Sequence, residues 1–435
     1  MRRLPVLAAA AVLTIGLAAC SDPSAEAPAA TAVSWPAPMA RLDGVALTIW
    51  AAQNSNTLPK TVIEEFQAAT GAKVQVVTVP DPYEQGVQTK VATGDKPDLA
   101  FWQPTASMLT AVNARTNLQP LTGAPWLTRL APDLRDITGI LAGTRYAALI
   151  TSPAVEGVYY NKEVFAANGI TATPKNFDAM VEVARQLKAR GVTPFHEMGG
   201  DRWATQWWVQ VQLADAAKEG FWDRVNTGKE TFGSPVVLDA IKRYQSLIKE
   251  GLFNADIRTA TFEDQGTALL GGKAAMAVQV NSFFGQLQAK AGTAELDRKI
   301  GFFPISPSGN VGTFIPDQSN ALVAFKTGDA AREAAARQLM AYWMGPGYAS
   351  FVADRNTVSL EPAVADPPGV PKALLDVHAA LPASVGSMQA LAVANPDLYL
   401  NLADMISGTM TPEQVAKTTQ DQFAQLAKAA GAPGF

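Results

Sequence analysis

Cysteine is almost missing from this sequence, with one residue, Cys20, in 435. A single thiol forms no intramolecular disulfide. If it carries lipid, as argued below, no thiolate is left for a zinc site or a nucleophile in the folded part. Histidine is nearly as scarce, with only His196 and His378. His196-Glu197 has Gly200 where a zinc protease needs its second histidine. No Gly-x-Ser-x-Gly elbow occurs, and Gly271-Gly-Lys273 lacks both the upstream glycine and the hydroxyl residue of a phosphate loop. Basic runs are absent too. Lys and Arg number 35 against 39 Asp and Glu, a net charge of −4, which argues against nucleic acid as a partner. No segment after the amino terminus offers the roughly eighteen apolar residues of a membrane-spanning helix. Carboxylate pairs such as Glu64-Glu65 read as solvated charges on a helix surface, and a glycosidase built on two carboxylates stays open as an alternative.

The amino terminus is the most informative stretch. Arg2 and Arg3 precede an apolar run from Val6 to Ala19, which ends Leu17-Ala18-Ala19-Cys20. That run fits a secretory leader and is too short to cross a bilayer. Small residues before the cut and a cysteine directly after it form a lipid-attachment pattern, so residues 1–19 read as a lipoprotein signal peptide and Cys20 as the lipidated residue. Residues 20–43, rich in Ala, Pro and Ser, read as a flexible tether, because such a composition buries too little surface to offset its conformational entropy. The expected location is the cell membrane, lipid-anchored and facing the extracytoplasmic side.

The rest exceeds a single core, so two domains are expected. Hydrophobic residues make up 48% and charged residues 17%, which suits a globular chain with a large core. The pattern predicts strands over 45–51, 73–79 and 98–102, alternating with helices over 57–69, 83–93 and 105–113. That alternation implies a parallel sheet with helices on its faces, and ligands bind beyond the carboxyl ends of such strands. Further helices are expected over 177–190, 234–250, 329–344 and 411–430, and a buried strand over 274–280. Gly94-Asp-Lys-Pro-Asp98 reads as structural, with aspartates capping backbone amides. Tyr159 and Tyr160 should point to opposite faces of a strand.

Several stations recur in a known order: Leu47-Thr-Ile-Trp50, Phe66-Gln-Ala-Ala-Thr-Gly71, Thr93-Gly-Asp-Lys-Pro-Asp-Leu-Ala-Phe-Trp102, Val158-Tyr-Tyr-Asn-Lys162, Phe165-Ala-Ala-Asn-Gly-Ile170, Gly272-Lys-Ala-Ala-Met276 and Phe302-Phe-Pro304. With them the chain resembles the family 1 extracellular solute-binding proteins. The resemblance implies an α/β, two-lobe periplasmic-binding-protein-like fold with a hinge, each lobe a mostly parallel sheet flanked by helices. By analogy, lobe one takes 44–153 plus 310–375 and lobe two takes 154–309 plus 376–435. It also implies a monomeric substrate-binding component of an ABC importer, without enzyme activity, cofactor or metal, partnered by permease subunits. The ligand class it implies is a neutral carbohydrate. A polyamine, a phosphate ester or iron remains the alternative, with a secreted carbohydrate-active enzyme behind it.

Carbohydrate sites pair flat aromatic rings with planar polar side chains. Candidates follow from strand ends and from the resemblance together. Gln53 and Asn54 follow the first strand, and their amides suit hydroxyl pairs or a turn equally well. Tyr83 is a stacker or a helix-start packing residue. Trp102 and Gln103 end the third strand. Trp203, behind Gly199-Gly200-Asp201-Arg202, resembles an aromatic platform, whereas Trp207 and Trp208 read as core. Asn281 and Phe283 follow the 274–280 strand. Asp317 would accept two hydroxyl hydrogens or cap a loop, and Tyr399 stands where relatives place a further cleft aromatic.

Overall fold

The computed structural model describes residues 33–52, 58–80 and 82–435. Cys20, Gln53 and Asn54 lie outside the described residues, as does the expected signal peptide. In chain order the strands are β1 (Ala46–Ala52), β2 (Lys73–Val79), β3 (Leu99–Phe101), β4 (Ile140–Leu141), β5 (Thr144–Arg145), β6 (Ala147–Leu149) and β7 (Ala154–Asn161). They continue with β8 (Thr193–Phe195), β9 (Ala274–Gln279), β10 (Ile300–Phe303), β11 (Thr313–Ile315), β12 (Ala321–Ala324) and β13 (Val385–Gly386).

Two sheets organise the molecule. The first runs β2-β1-β3-β12-β6, with β1 parallel to β2 and β3 but β12 antiparallel to β3 and β6. The second runs β13-β11-β7-β9-β8, with β10 also on β7. Here β7 is antiparallel to β9, β10 and β11, so both sheets are mixed. The antiparallel strands are those in which the chain returns from one lobe to the other. Such returns run against the βαβ direction of the rest, and alternation along the sequence does not reveal them.

Local chemistry explains the opening unit. The helix Lys60–Thr70 buries Val62, Ile63 and Phe66 on one face and ends at Gly71, whose φ of 81° favours a residue without a side chain. Asp98, fully buried, accepts from Thr48 N at 2.7 Å and from Arg332 at 2.8 Å, so the structural reading of that motif holds. This bond set ties the start of β3 to β1 and to the helix Ala330–Trp343. A buried carboxylate is tolerable only with such partners.

Three buried clusters follow from the two sheets. One holds Trp50, Tyr83, Trp102 and Phe325 on one face of the first sheet. A second joins the opposite face, through Phe66 and Trp343, to Tyr159 and Phe302 of the second sheet and to Phe283 of the helix Phe283–Gln288. The third fills lobe two around Trp208, Tyr244 and Phe253. Tyr159 and Tyr160 separate as the strand period demands. Tyr159 is buried against Phe302, while Tyr160 is half-exposed and packs on Phe165.

The expected tether behaves differently in its described portion. Trp35 meets Trp126 edge-on at 4.9 Å and donates to Thr122 O at 3.2 Å. Gln338 donates to Ala40 O at 2.7 Å. Residues 33–43 therefore lie against lobe one, because one aromatic ring and two acceptors offset the ordering cost that composition alone suggested.

Candidate functional site

The end of β3, the start of β12 and the end of β9 lead to contacts at the boundary between the lobes, through Ala106–Ala111 on Met388–Leu391, Asn320 donating to Ser152 O at 2.8 Å and Val155 N donating to Asn281. On lobe two, Gly199 and Gly200 make the approach to this boundary. A Cβ at Gly199 would meet Ile257 O at 2.3 Å, and one at Gly200 would meet Thr259 O at 2.6 Å. The loop is thereby pressed flat on the 257–260 segment, held by Gly199 N to Ile257 O and Gly200 N to Ala260 O. Arg202 then takes φ 65°, an uncommon conformation for a side-chain-bearing residue, and turns the chain into the short helix Trp203–Gln206.

Beneath this loop Glu197 is fully buried. It accepts from Met198 N at 2.8 Å and from the Tyr244 hydroxyl at 3.1 Å. Burial pushes its carboxyl up to about 7, against the opposing effect of those bonds. Asn254 clamps the same residue, accepting from Glu197 N at 2.8 Å and donating to Glu197 O at 3.2 Å.

Trp203 itself is half-buried, edge-on to Trp207 at 6.3 Å and to Phe262 at 5.1 Å. Beside it, Thr205 donates to Tyr399 O at 2.8 Å, which fixes the helix Leu398–Ser407 against the Trp203 turn. Tyr399 is half-buried as well. Its hydroxyl is raised by burial first, then by Asp397 and by Glu84. Glu84 belongs to lobe one, so Tyr399 looks across the boundary at the start of the helix Tyr83–Ala92. The lobes also touch where the helix Ala106–Ala111 meets Met388–Leu391.

From Trp203 an aromatic row leads along lobe two through Phe262 to Phe283, the latter pair 5.8 Å apart. The next residue, Phe284, lines a recess of about 110 Å³ where the chain passes between the lobes. Thr151, Ser152, Asn281, Ser282, Asn320 and Asn356 supply hydroxyls and amides there. His378 and Arg355 join them, and burial lowers both of their pKa values. Ser152 Oγ lies 3.3 Å from His378 Nδ1.

The predicted site residues divide accordingly. Trp203 and Tyr399 lie on adjoining segments of lobe two, joined by the Thr205 hydroxyl to Tyr399 O. Asn281 and Asp317 line the recess, each also occupied with the protein's own backbone. Asn281 Oδ1 accepts from Val155 N at 2.9 Å, and Asp317 accepts from Ser319 N at 2.7 Å as a loop cap. Burial raises the Asp317 carboxyl against these bonds. Gln103 is half-exposed at the end of β3.

Tyr83, Trp102 and Phe283 require correction as stacking candidates, being fully buried. The Tyr83 hydroxyl lies 2.7 Å from Phe101 O and 3.1 Å from Trp50 O, and the Trp102 indole donates to Met108 O at 3.0 Å. Phe283 packs on Tyr159 at 5.4 Å. Each ring satisfies itself inside the core, since neighbouring helices close over the strand end. Glu84, Arg355 and His378 were missed. Glu84 adjoins a candidate in sequence, but Arg355 and His378 arrive through distant crossings and carry no local signal.

Among the described residues, no group of three or more His, Cys, Asp or Glu is placed to hold a metal ion, and no helix is long and apolar enough to cross a membrane.

Comparison with known proteins gives consistent results. The family profile described as bacterial extracellular solute-binding protein matches residues 51–350. A multiple sugar-binding protein of Streptococcus mutans is 26% identical over 155 residues, 35% of this chain and 36% of that protein. An uncharacterised ABC transporter extracellular-binding protein of Pyrococcus horikoshii is 25% identical over 165 residues, 38% of this chain and 36% of that one. The match thus spans little more than a third of these curated relatives' length. Among solved structures, a chitin oligosaccharide binding protein aligns with a TM-score of 0.75 at 21% identity, covering 88% of this chain and 99% of its own. The solute-binding protein RafE in complex with raffinose aligns at 0.71 and 18%, covering 88% and 100%. At such identities the structures establish the two-lobe fold.

Proposed function

The chain belongs to the bacterial extracellular solute-binding proteins, and from that membership we propose that it binds a neutral carbohydrate between its lobes and delivers it to the permease of an ABC importer. One observation carries the ligand class. Trp203 and Tyr399 are both half-buried aromatics of lobe two, on segments joined by the Thr205 hydroxyl to Tyr399 O, and hydroxyl- and amide-bearing residues line the recess beside Phe284. Rings of this kind match the C–H faces of a pyranose, and the polar recess matches its hydroxyls. That several structural neighbours bind sugars, among them raffinose and tagatose, supports the same reading. The lobes are taken as 44–153 plus 310–375 and 154–309 plus 376–435, with β11 pairing into the second sheet at the crossing.

Ligand would favour the closed arrangement because only there does it touch both lobes. The protein acts as a monomeric carrier rather than an enzyme, held at the extracytoplasmic membrane face by lipid on Cys20. Tryptophan fluorescence and melting temperature of the mature chain, read against neutral mono- and oligosaccharides, a polyamine, a phosphate ester and ferric iron, test this. Stabilisation by one sugar class without product formation is expected. A response confined to a charged solute, or turnover of a glycan, would overturn the carbohydrate assignment.

A further inference from the structure

At the pole of lobe one opposite the boundary, the fold gathers basic residues that are scattered in sequence. Lys96 precedes β3, Lys326 follows β12, and Arg337 lies on the helix Ala330–Trp343. Together with Gln119, Glu333 and Val33 they line an open recess of about 500 Å³. Lys326 Nζ donates to Arg115 O at 2.8 Å, which brings the 115 segment to the same pole. Arg337 donates to Gln119 Oε1.

The nearby acids are largely committed elsewhere. Asp98 pairs with Arg332 at 2.8 Å, Asp95 pairs with Lys90 at 2.7 Å, and Asp329 caps the helix through Ala331 N and Arg332 N. Glu333, the one carboxylate in the lining, accepts from Gly328 N at 2.9 Å. Three cations therefore face one acid on a chain whose overall charge is −4. Such local excess attracts phosphate-bearing groups whatever the net charge.

The position of Val33 suggests which phosphate. Thirteen peptide units separate it from Cys20, a reach of at most about 45 Å when fully extended. We propose that this recess is a docking surface for anionic phospholipid headgroups, which rests the basic pole of lobe one against the bilayer between encounters with the permease. The inference rests on the lipid-attachment reading of Cys20. Juxtamembrane lysines and arginines gain from an anionic leaflet, and salt screens the gain within about 10 Å.

Amine labelling of the full lipidated chain, on phosphatidylcholine vesicles with and without phosphatidylglycerol, tests it. Modification of Lys96 and Lys326 should fall about fivefold on the anionic vesicles relative to Lys417 of lobe two, the shift expected from one basic residue's attraction. High salt should abolish the protection, and the double variant K96E/K326E should lose protection of the recess lysine-free peptides around Gln119 in a parallel oxidative footprint. Equal labelling on both vesicle types would overturn the proposal. Protection by inorganic phosphate on neutral vesicles would reassign the recess to a free anion and remove the membrane role. A chain that leaves neutral vesicles carries no lipid, which refutes the attachment reading separately. Recruitment by anionic vesicles alone would then still support the docking surface, and its absence would refute it.

Discussion

Replacing Glu197 with glutamine probes the polar cluster that supports the Trp203 loop. Burial raises the Glu197 carboxyl from its ordinary 4.5 to about 7. Unfolding returns it to water and to the ordinary value. Between those two values the folded chain keeps a proton that the unfolded chain has released. The stability this contributes is complete below pH 4.5 and is lost as pH rises through about 7. At about 1.4 kcal/mol per pH unit, the loss amounts to about 3 kcal/mol. Glutamine keeps the shape of the protonated acid and has no proton to release. The perturbation therefore removes the pH dependence while leaving the packing in place. Urea unfolding of both proteins from about pH 5 to about pH 8 measures it. The stability of E197Q relative to the parent should climb by about 2.5 kcal/mol over that range, which begins above 4.5 and so misses the first part of the loss. Glu156, also buried and raised, is present in both proteins and cancels. A difference that stays flat across the range would show that water reaches Glu197 and that the cluster is not the dry support described here.

Other outcomes follow from the same geometry. Trp203→Ala should weaken binding of the stabilising sugar by about 1–3 kcal/mol in calorimetry, with unchanged affinity removing it from the site. Phe283→Ala should lower stability by about 3–5 kcal/mol in denaturant melts, as a core deletion does; a loss of affinity with little loss of stability would instead return it to the ligand. Gly200→Ala should shift the loop, since its Cβ would meet Thr259 O at 2.6 Å. Reduced melting temperature together with weaker sugar binding is expected, and a neutral substitution would show that the loop yields to the added methyl group.

How far the sequence discloses these features depends on the range over which each is encoded. The helix Pro412–Ala429 was legible because Thr411 and Gln414 form a capping box in neighbouring positions, and the structure contains both bonds. β1, β2 and β3 were legible as apolar runs between turns. β12 was not, because its place between β3 and β6 depends on a chain return from the other lobe. The site shows the same limit. Trp102 and Tyr83 stand at strand ends, as ligand contacts do, but the helices that cover them are set by tertiary packing. Trp203 was found through its glycines and its resemblance. Glu84, the lobe-one carboxylate that acts on the Tyr399 hydroxyl, has meaning only once the two lobes are brought together.

The docking of residues 33–43 also determines how force enters the molecule. Trp35 on Trp126, with Gln338 on Ala40 O, makes lobe one the mechanical ground for any pull on the amino-terminal chain. Load applied there passes into the first sheet without crossing the hinge. Lobe two, which meets lobe one at the crossing segments and where Ala106–Ala111 touches Met388–Leu391, is left as the moving jaw, and a pull on the amino-terminal chain does not act on it directly.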